Sequence, residues 1–227
     1  LLRPRLASVA TRDAALLSIG TLGSGVLAWL FNVLSARTLG PETYGSVAAL
    51  WASLFLLAVL LFRPVEQTVS VSVAERVAHD VDARPSVRSA ARLALVVVVA
   101  VSALILAFWG PITDGLFGGR SALTAALLIG LAGYAASFIM RGLCSGVRWF
   151  GGYGLVLLGD GGIRLLLVLP LLVLPEPWIA AVAIAAAAIG GALLPLAFSR
   201  RSELHRVEGH VSADPATDRR TLKRTVR

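Results

Sequence analysis

The sequence predicts an all-α integral membrane protein with six transmembrane helices, on three observations. Apolar residues fill 57% of the 227 positions and the mean hydropathy is +0.81, well beyond the roughly 45–50% apolar content of a soluble domain. They are gathered into six runs, several of which approach twenty residues, whereas a core helix of a soluble protein rarely holds more than about 14 wholly apolar positions. Lys and Arg are kept between the runs, as in a chain that records its orientation in a bilayer.

Residues 1–13 form a short basic approach to the membrane, with Arg3, Arg5 and Arg12. Span one covers about 14–34, and from Ala14 to Leu34 no residue is charged. At ~1.5 Å per residue that run crosses a ~30 Å hydrocarbon core. The Gly40-Pro41 break, with Arg37 and Glu42 on either side, ends it and turns the chain into span two, about 44–62. The two spans are therefore expected to form a hairpin.

A polar loop is expected between Arg63 and Arg92, starting as a helical extension and broken near Pro85. Span three, about 93–109, closes on Trp109, a residue suited to the interface, and Gly110-Pro111 ends it before a turn to Arg120. Span four is about 122–143 and span five about 153–174, the latter interrupted by Asp160 and Arg164. A turn at Pro175-Glu176-Pro177-Trp178 leads to span six, about 179–198, and residues 199–227 read as a basic, flexible linker or tail. Small residues recur in spans one and four (Gly20, Gly23, Ser24, Gly25; Gly130, Gly133, Ala136, Ser137), where they let helices approach closely in lipid. The three glycines of span one also make it a candidate flexing element.

Eighteen of the 21 Lys and Arg fall on one side of this topology: three before span one, five between spans two and three, two after span four and eight in the tail. Arg37 and Arg120 fall on the other side, and Arg164 lies within a span. The asymmetry predicts a multi-pass protein of the cell membrane with both termini cytoplasmic. It also argues against nucleic acid as the partner behind the net charge of +8, because the charge is spread over loops instead of gathered on one face. Leu1 in place of Met leads to the expectation that the chain is a fragment, and the first apolar run is too long for a cleavable signal peptide. Cys144 is the single cysteine, so no intrachain disulfide or cysteine metal cluster can form.

The phrase ARTLGPETYGSVAAL, from Ala36 to Leu50, follows a Gly- and Ser-rich helix opened by Arg12-Asp13. It resembles the first loop and second helix of the polysaccharide biosynthesis and export flippases, within the superfamily of oligosaccharide-lipid flippases and multidrug antiporters. The similarity continues more weakly, in the order of six spans and a basic loop after the second. It implies that this chain is the N-terminal six-helix lobe, residues 14–198, of a two-lobe transporter. The partners it implies are the bilayer, a lipid-linked anionic glycan and a second six-helix half. No cofactor is implied.

Charges inside spans cost at least ~2.5–3.5 kcal/mol each and are retained for a partner or a function. Asp160 and Arg164, at i and i+4, share a helical face and can pair. Two readings stand: a structural ion pair, or a substrate site in which Arg164 faces a water-filled cavity and Asp160 orients it. Arg63, beside Glu66 at the end of span two, reads either as an interfacial anchor or as a group meeting a lipid pyrophosphate at the cavity entrance, since guanidinium grips phosphate bidentately. Arg141 and Arg148, flanking the end of span four, follow the same logic and read mainly as orientation charges. The candidate substrate-binding residues are thus Arg164, Asp160 and Arg63.

Other patterns lead nowhere. Gly142-Leu143-Cys144-Ser145-Gly146 lacks the strand-to-helix turn of a nucleophile elbow, and Gly152-Tyr153-Gly154 lacks the rest of a dinucleotide fingerprint. His79, His205 and His210 have no metal-site spacing. No catalytic constellation is found, so a transporter is expected and not an enzyme. The competing expectations are a cation-coupled multidrug exporter of the same superfamily and a non-transporting scaffold for glycan assembly.

Overall fold

The computed structural model describes residues 3–198, with side chains described from residue 14. The tail at 199–227, expected to be a linker, lies outside the described residues. Those described are helical, without strands. Helix α1 is Arg3–Ala78, α2 Arg84–Ala107, α3 Trp109–Phe117, α4 Ser121–Gly146, α5 Phe150–Val168, followed by a 3-10 turn at Leu169–Leu172, and α6 Pro177–Phe198. Five of them are long and apolar enough to cross a membrane, and α1 is two arms in one.

The two arms meet at Gly40, which has φ 73° and ψ 166°, a region open essentially to glycine alone. Tyr44 Oη donates to Asn32 Oδ1 at 3.0 Å, and the Phe31 and Trp51 ring centroids lie 6.4 Å apart. A straight helix would hold these pairs about 18 and about 30 Å apart. The chain therefore doubles back, and the expected hairpin is present.

The second arm does not stop where the hydrophobic run ends. It continues through Pro64 to Ala78, so the first half of the expected polar loop is helix and the break falls at 79–83. Val65, Val69 and Val73 are buried. They recur every four residues, and that stripe against α4 is why the helix persists. The chain thus breaks just before Pro85, as expected. The proline itself occupies the first turn of α2, where its missing N–H costs no hydrogen bond. At the far end of α2 the expected turn to Arg120 is largely the short helix α3, with Gly110 and Pro111 inside it, and it ends on left-handed Gly118. Helix α5 also ends earlier than expected, at Val168, where Pro170 shifts the chain into the 3-10 turn.

Helices α4 and α6 form the centre: 61% of the apolar window of each is buried, against 28% for α1 and 17% for α2. Glycines set how closely they approach. A Cβ at Gly130 would fall 2.8 Å from the Leu54 side chain, one at Gly142 2.7 Å from the Glu66 carbonyl, and one at Gly146 2.7 Å from Val73. Residue numbers rise together along this contact, so α4 and the second arm run parallel. Ser145 Oγ donates to Ser70 Oγ across it at 2.9 Å. On α5, Gly154 meets Gly20 of the first arm, and Gly159 meets Gly191 of α6. Gly20, Gly23, Gly130 and Gly133 thus take the packing role expected of them, whereas Gly25 has open space beside it and Ala136 is exposed.

The outer surface is apolar. Leu22, Leu56, Leu60, Val96 and Leu166 are each more than half exposed, a surface matched to acyl chains and not to water. These helices identify a multi-pass membrane protein. Replacing Gly40 by Ala should lower the thermal midpoint of the detergent-solubilised protein by the equivalent of roughly 1–3 kcal/mol. No atom lies within 4 Å of the added Cβ, so the cost is in the backbone. Gly45→Ala, equally unobstructed but helical, should lose nothing, and equal effects from the two would contradict this account of the hairpin.

Candidate functional site

Both arms of α1, together with α4 and α5, line a cavity of about 420 Å³. All three site residues expected from sequence, Arg63, Asp160 and Arg164, line it. So do Tyr134 and Arg141 of α4, and Trp51, Phe55 and Ser24 from the two arms of α1. The polar groups fall into two layers.

The deeper layer is built on α5. Arg164 is 1% exposed and is held on three sides. One nitrogen, Nη2, is ion-paired with Asp160 one turn earlier and also donates to Tyr134 Oη at 2.9 Å. Its guanidinium carbon lies 3.7 Å from the centroid of the Trp51 ring, a cation–π contact that partly replaces hydration. Sequence reasoning offered an ion pair or a cavity site for these residues, and the geometry combines them. The pair is formed, and it forms part of a cavity wall. Asp160, with one-fifth of its side chain exposed, is the member more open to the cavity.

The other layer is centred on Glu66, which is 6% exposed. Arg63 Nη1 lies 3.3 Å from its Oε1, Tyr153 Oη donates to Oε1 at 3.0 Å, and Arg141 Nη2 stands 3.4 Å from Oε2. One carboxylate thus ties α1, α4 and α5 together. Arg141 stacks on Phe138, 3.6 Å from the ring centroid, with only 12% of its side chain exposed. Its Nε and Nη2 are buried and make no hydrogen bond, the distance to Glu66 being that of an ion pair without hydrogen-bond alignment. A charge so poorly satisfied beside a cavity is expensive. Arg63, half exposed, faces the opening.

Arg141, expected to serve mainly for orientation, also lines the cavity, with its guanidinium stacked on Phe138. Arg148 is exposed, as an orientation charge should be. Tyr134, Trp51, Tyr153 and Glu66 complete the site. A signal for two of them was present in the spacing: Tyr134 and Arg141 on α4, like Tyr153 and Asp160 on α5, are seven residues apart and share a face. That step is two turns, so the layers are separated by about 10 Å.

Each layer therefore has a guanidinium on an aromatic ring, a carboxylate and a tyrosine. The deeper one balances Arg164 against Asp160, while the other sets two guanidiniums against Glu66. Such an arrangement can hold an anion near Arg63 and Arg141 without any covalent step. Comparison with models of protein families, with curated proteins and with solved structures finds no match for this chain.

Because Asp160 and Arg164 are desolvated together, Asp160→Ala alone should destabilise the protein by about 3–5 kcal/mol, by stranding a buried guanidinium. The double variant Asp160→Ala, Arg164→Met should recover most of that loss. Unfolding of the detergent-solubilised variants measures both, and a double variant as unstable as the single one would show that the pair is not what holds Arg164.

Proposed function

We propose that this chain is one six-helix lobe of a transporter that moves a lipid-pyrophosphate-linked oligosaccharide across the cytoplasmic membrane, with its cavity forming half of the path. The observation that carries this reading is the pair of guanidiniums lining the cavity, Arg63 and the under-satisfied Arg141, which share the single carboxylate of Glu66.

Position along α4 supports it. Arg141 lies twenty residues from Ser121, about 30 Å along the helix axis, whereas Tyr134 lies about 20 Å along it. Arg63 and Arg141 therefore belong near a bilayer interface, where a lipid carries its phosphates, and the Arg164 layer sits deeper. The distribution of basic loops favours the cytoplasmic side for that interface. Guanidinium pairs favour phosphoryl oxygens geometrically as well as electrostatically.

On this reading the pyrophosphate replaces Glu66 as partner of Arg141 and Arg63, and Glu66 keeps Tyr153. A second six-helix half closes the open side of the cavity, and the two lobes rock to expose it alternately, as internal repeats of transporters do. The resemblance of residues 36–50 to the flippase turn points the same way. A cation-coupled exporter needs an intramembrane carboxylate free for a cation, but the carboxylate lining this cavity, Asp160, is already paired with Arg164.

Binding to the purified chain in lipid nanodiscs tests the proposal. A prenyl pyrophosphate should bind at least about tenfold more tightly than the matching prenyl alcohol, a difference near 1.4 kcal/mol. The double variant Arg63→Gln, Arg141→Gln should abolish that preference. Equal binding of the two lipids, or an undiminished preference in the variant, would refute it.

A further inference from the structure

The two layers differ in charge and in which group they present, and this bears on the head group, given the pyrophosphate reading above. We infer that the deeper layer is a station for an uncharged, hydroxyl-bearing sugar ring, and that it excludes an acidic sugar.

The layers are about 10 Å apart along both α4 and α5. The phosphorus atoms of a pyrophosphate share one bridging oxygen, so a pyrophosphate at Arg63 and Arg141 cannot also reach Arg164. The part of the head group that enters the deeper layer is the glycan. There Arg164 is withdrawn: 1% exposed, with Trp51 over its face and Asp160 and Tyr134 at its edge. A second anion would have to separate Arg164 from Asp160 and would leave an unpaired carboxylate beside itself, a like-charge contact at low dielectric.

The deeper layer instead offers the cavity the Asp160 carboxylate, ion-paired with the guanidinium behind it. A carboxylate accepts and does not donate, so it selects hydroxyl groups. Its Oδ1 is buried and makes no hydrogen bond, since the ion pair uses Oδ2, so a ligand hydroxyl reaches it only as the carboxylate turns toward the cavity, where a fifth of the side chain is exposed. Tyr134 supplies the complementary donor. Its oxygen accepts from Arg164, which leaves its own hydrogen for a ligand hydroxyl. Trp51 and Phe55, both lining the cavity and with centroids 6.4 Å apart, give the C–H face of a ring an apolar surface. Ser24 adds a hydroxyl on the opposite arm. Paired acceptors and donors beside aromatic surface suit a neutral polyol, and they suit a uronate poorly.

The experiment uses three probes with the full chain in nanodiscs, followed by titration calorimetry: a short-chain prenyl pyrophosphate, the same lipid carrying a neutral hexose, and the same lipid carrying the corresponding hexuronic acid. The hexose probe should bind about tenfold more tightly than the bare lipid, and the hexuronate probe at least about tenfold more weakly than the hexose probe. Asp160→Asn should bring the two sugar probes within about threefold of each other, by removing the repelling charge while keeping an acceptor. Tyr134→Phe should weaken the hexose probe and narrow its margin over the bare pyrophosphate lipid.

Hexuronate binding as tightly as hexose to the unaltered protein would overturn the sugar station, and that comparison needs no variant to fold. Discrimination that persists in Asp160→Asn would overturn it too. If the bare pyrophosphate lipid binds no better than its alcohol, the pyrophosphate reading itself falls. If it binds but the sugars are not distinguished, only the sugar station falls.

Discussion

An ionised group in a low-dielectric interior must find a counter-charge within reach of its own helix or of a neighbour. Here that requirement ties the helices together. Glu66 on α1 is met by Arg141 from α4 and Tyr153 from α5, and Arg164 on α5 is met by Tyr134 from α4 and Trp51 from α1. Neither layer forms unless the second arm of α1, α4 and α5 stand at the right height relative to each other. The glycine contacts at 130, 142 and 146 make that approach possible, and the polar contacts select one register among the many that apolar packing in lipid would accept.

The same constraint shapes the cavity. Three guanidiniums near one space would repel each other and invite any anion, but two carboxylates divide the charge unevenly along its length. On the proposed reading, a phosphate enters where cations are in excess and a sugar lies where charge is balanced. Because each guanidinium already has an internal partner, a ligand exchanges with that partner and does not fill a bare charge. An exchange of this kind favours release as well as capture, and a transporter needs both.

How legible all this was in the chain varies by element. The hairpin was legible because a Gly-Pro break with flanking charges has few other meanings, and Gly40 indeed holds a backbone conformation reserved for glycine. The extension of α1 past Arg63 was misread as mostly loop. Most polar residues there face outward, Glu66 and Ser70 turn toward α4, and the valines at 65, 69 and 73 form a stripe whose partner, α4, is visible only once the fold is known. The breaks near Pro85 and Gly110-Pro111 were legible as well, although in both places the proline belongs to the first turn of the helix that follows and not to a loop.

Among the site residues, Asp160 and Arg164 stood out because a charge in an apolar run is costly wherever it lies. Arg141 did not, because a basic residue near the end of a span is usually just an orientation signal. By itself the sequence determined that the chain is a set of apolar helices with a doubled-back start and an ion pair within span five, since hydropathy, glycine conformation and i, i+4 spacing are local properties. Only the tertiary structure decided that Arg141 shares Glu66 with Arg63, that Tyr134 and Trp51 sheathe Arg164, and that both groups face one cavity. Those relations join residues 30 to 113 positions apart, and no local rule sets the height at which two helices meet.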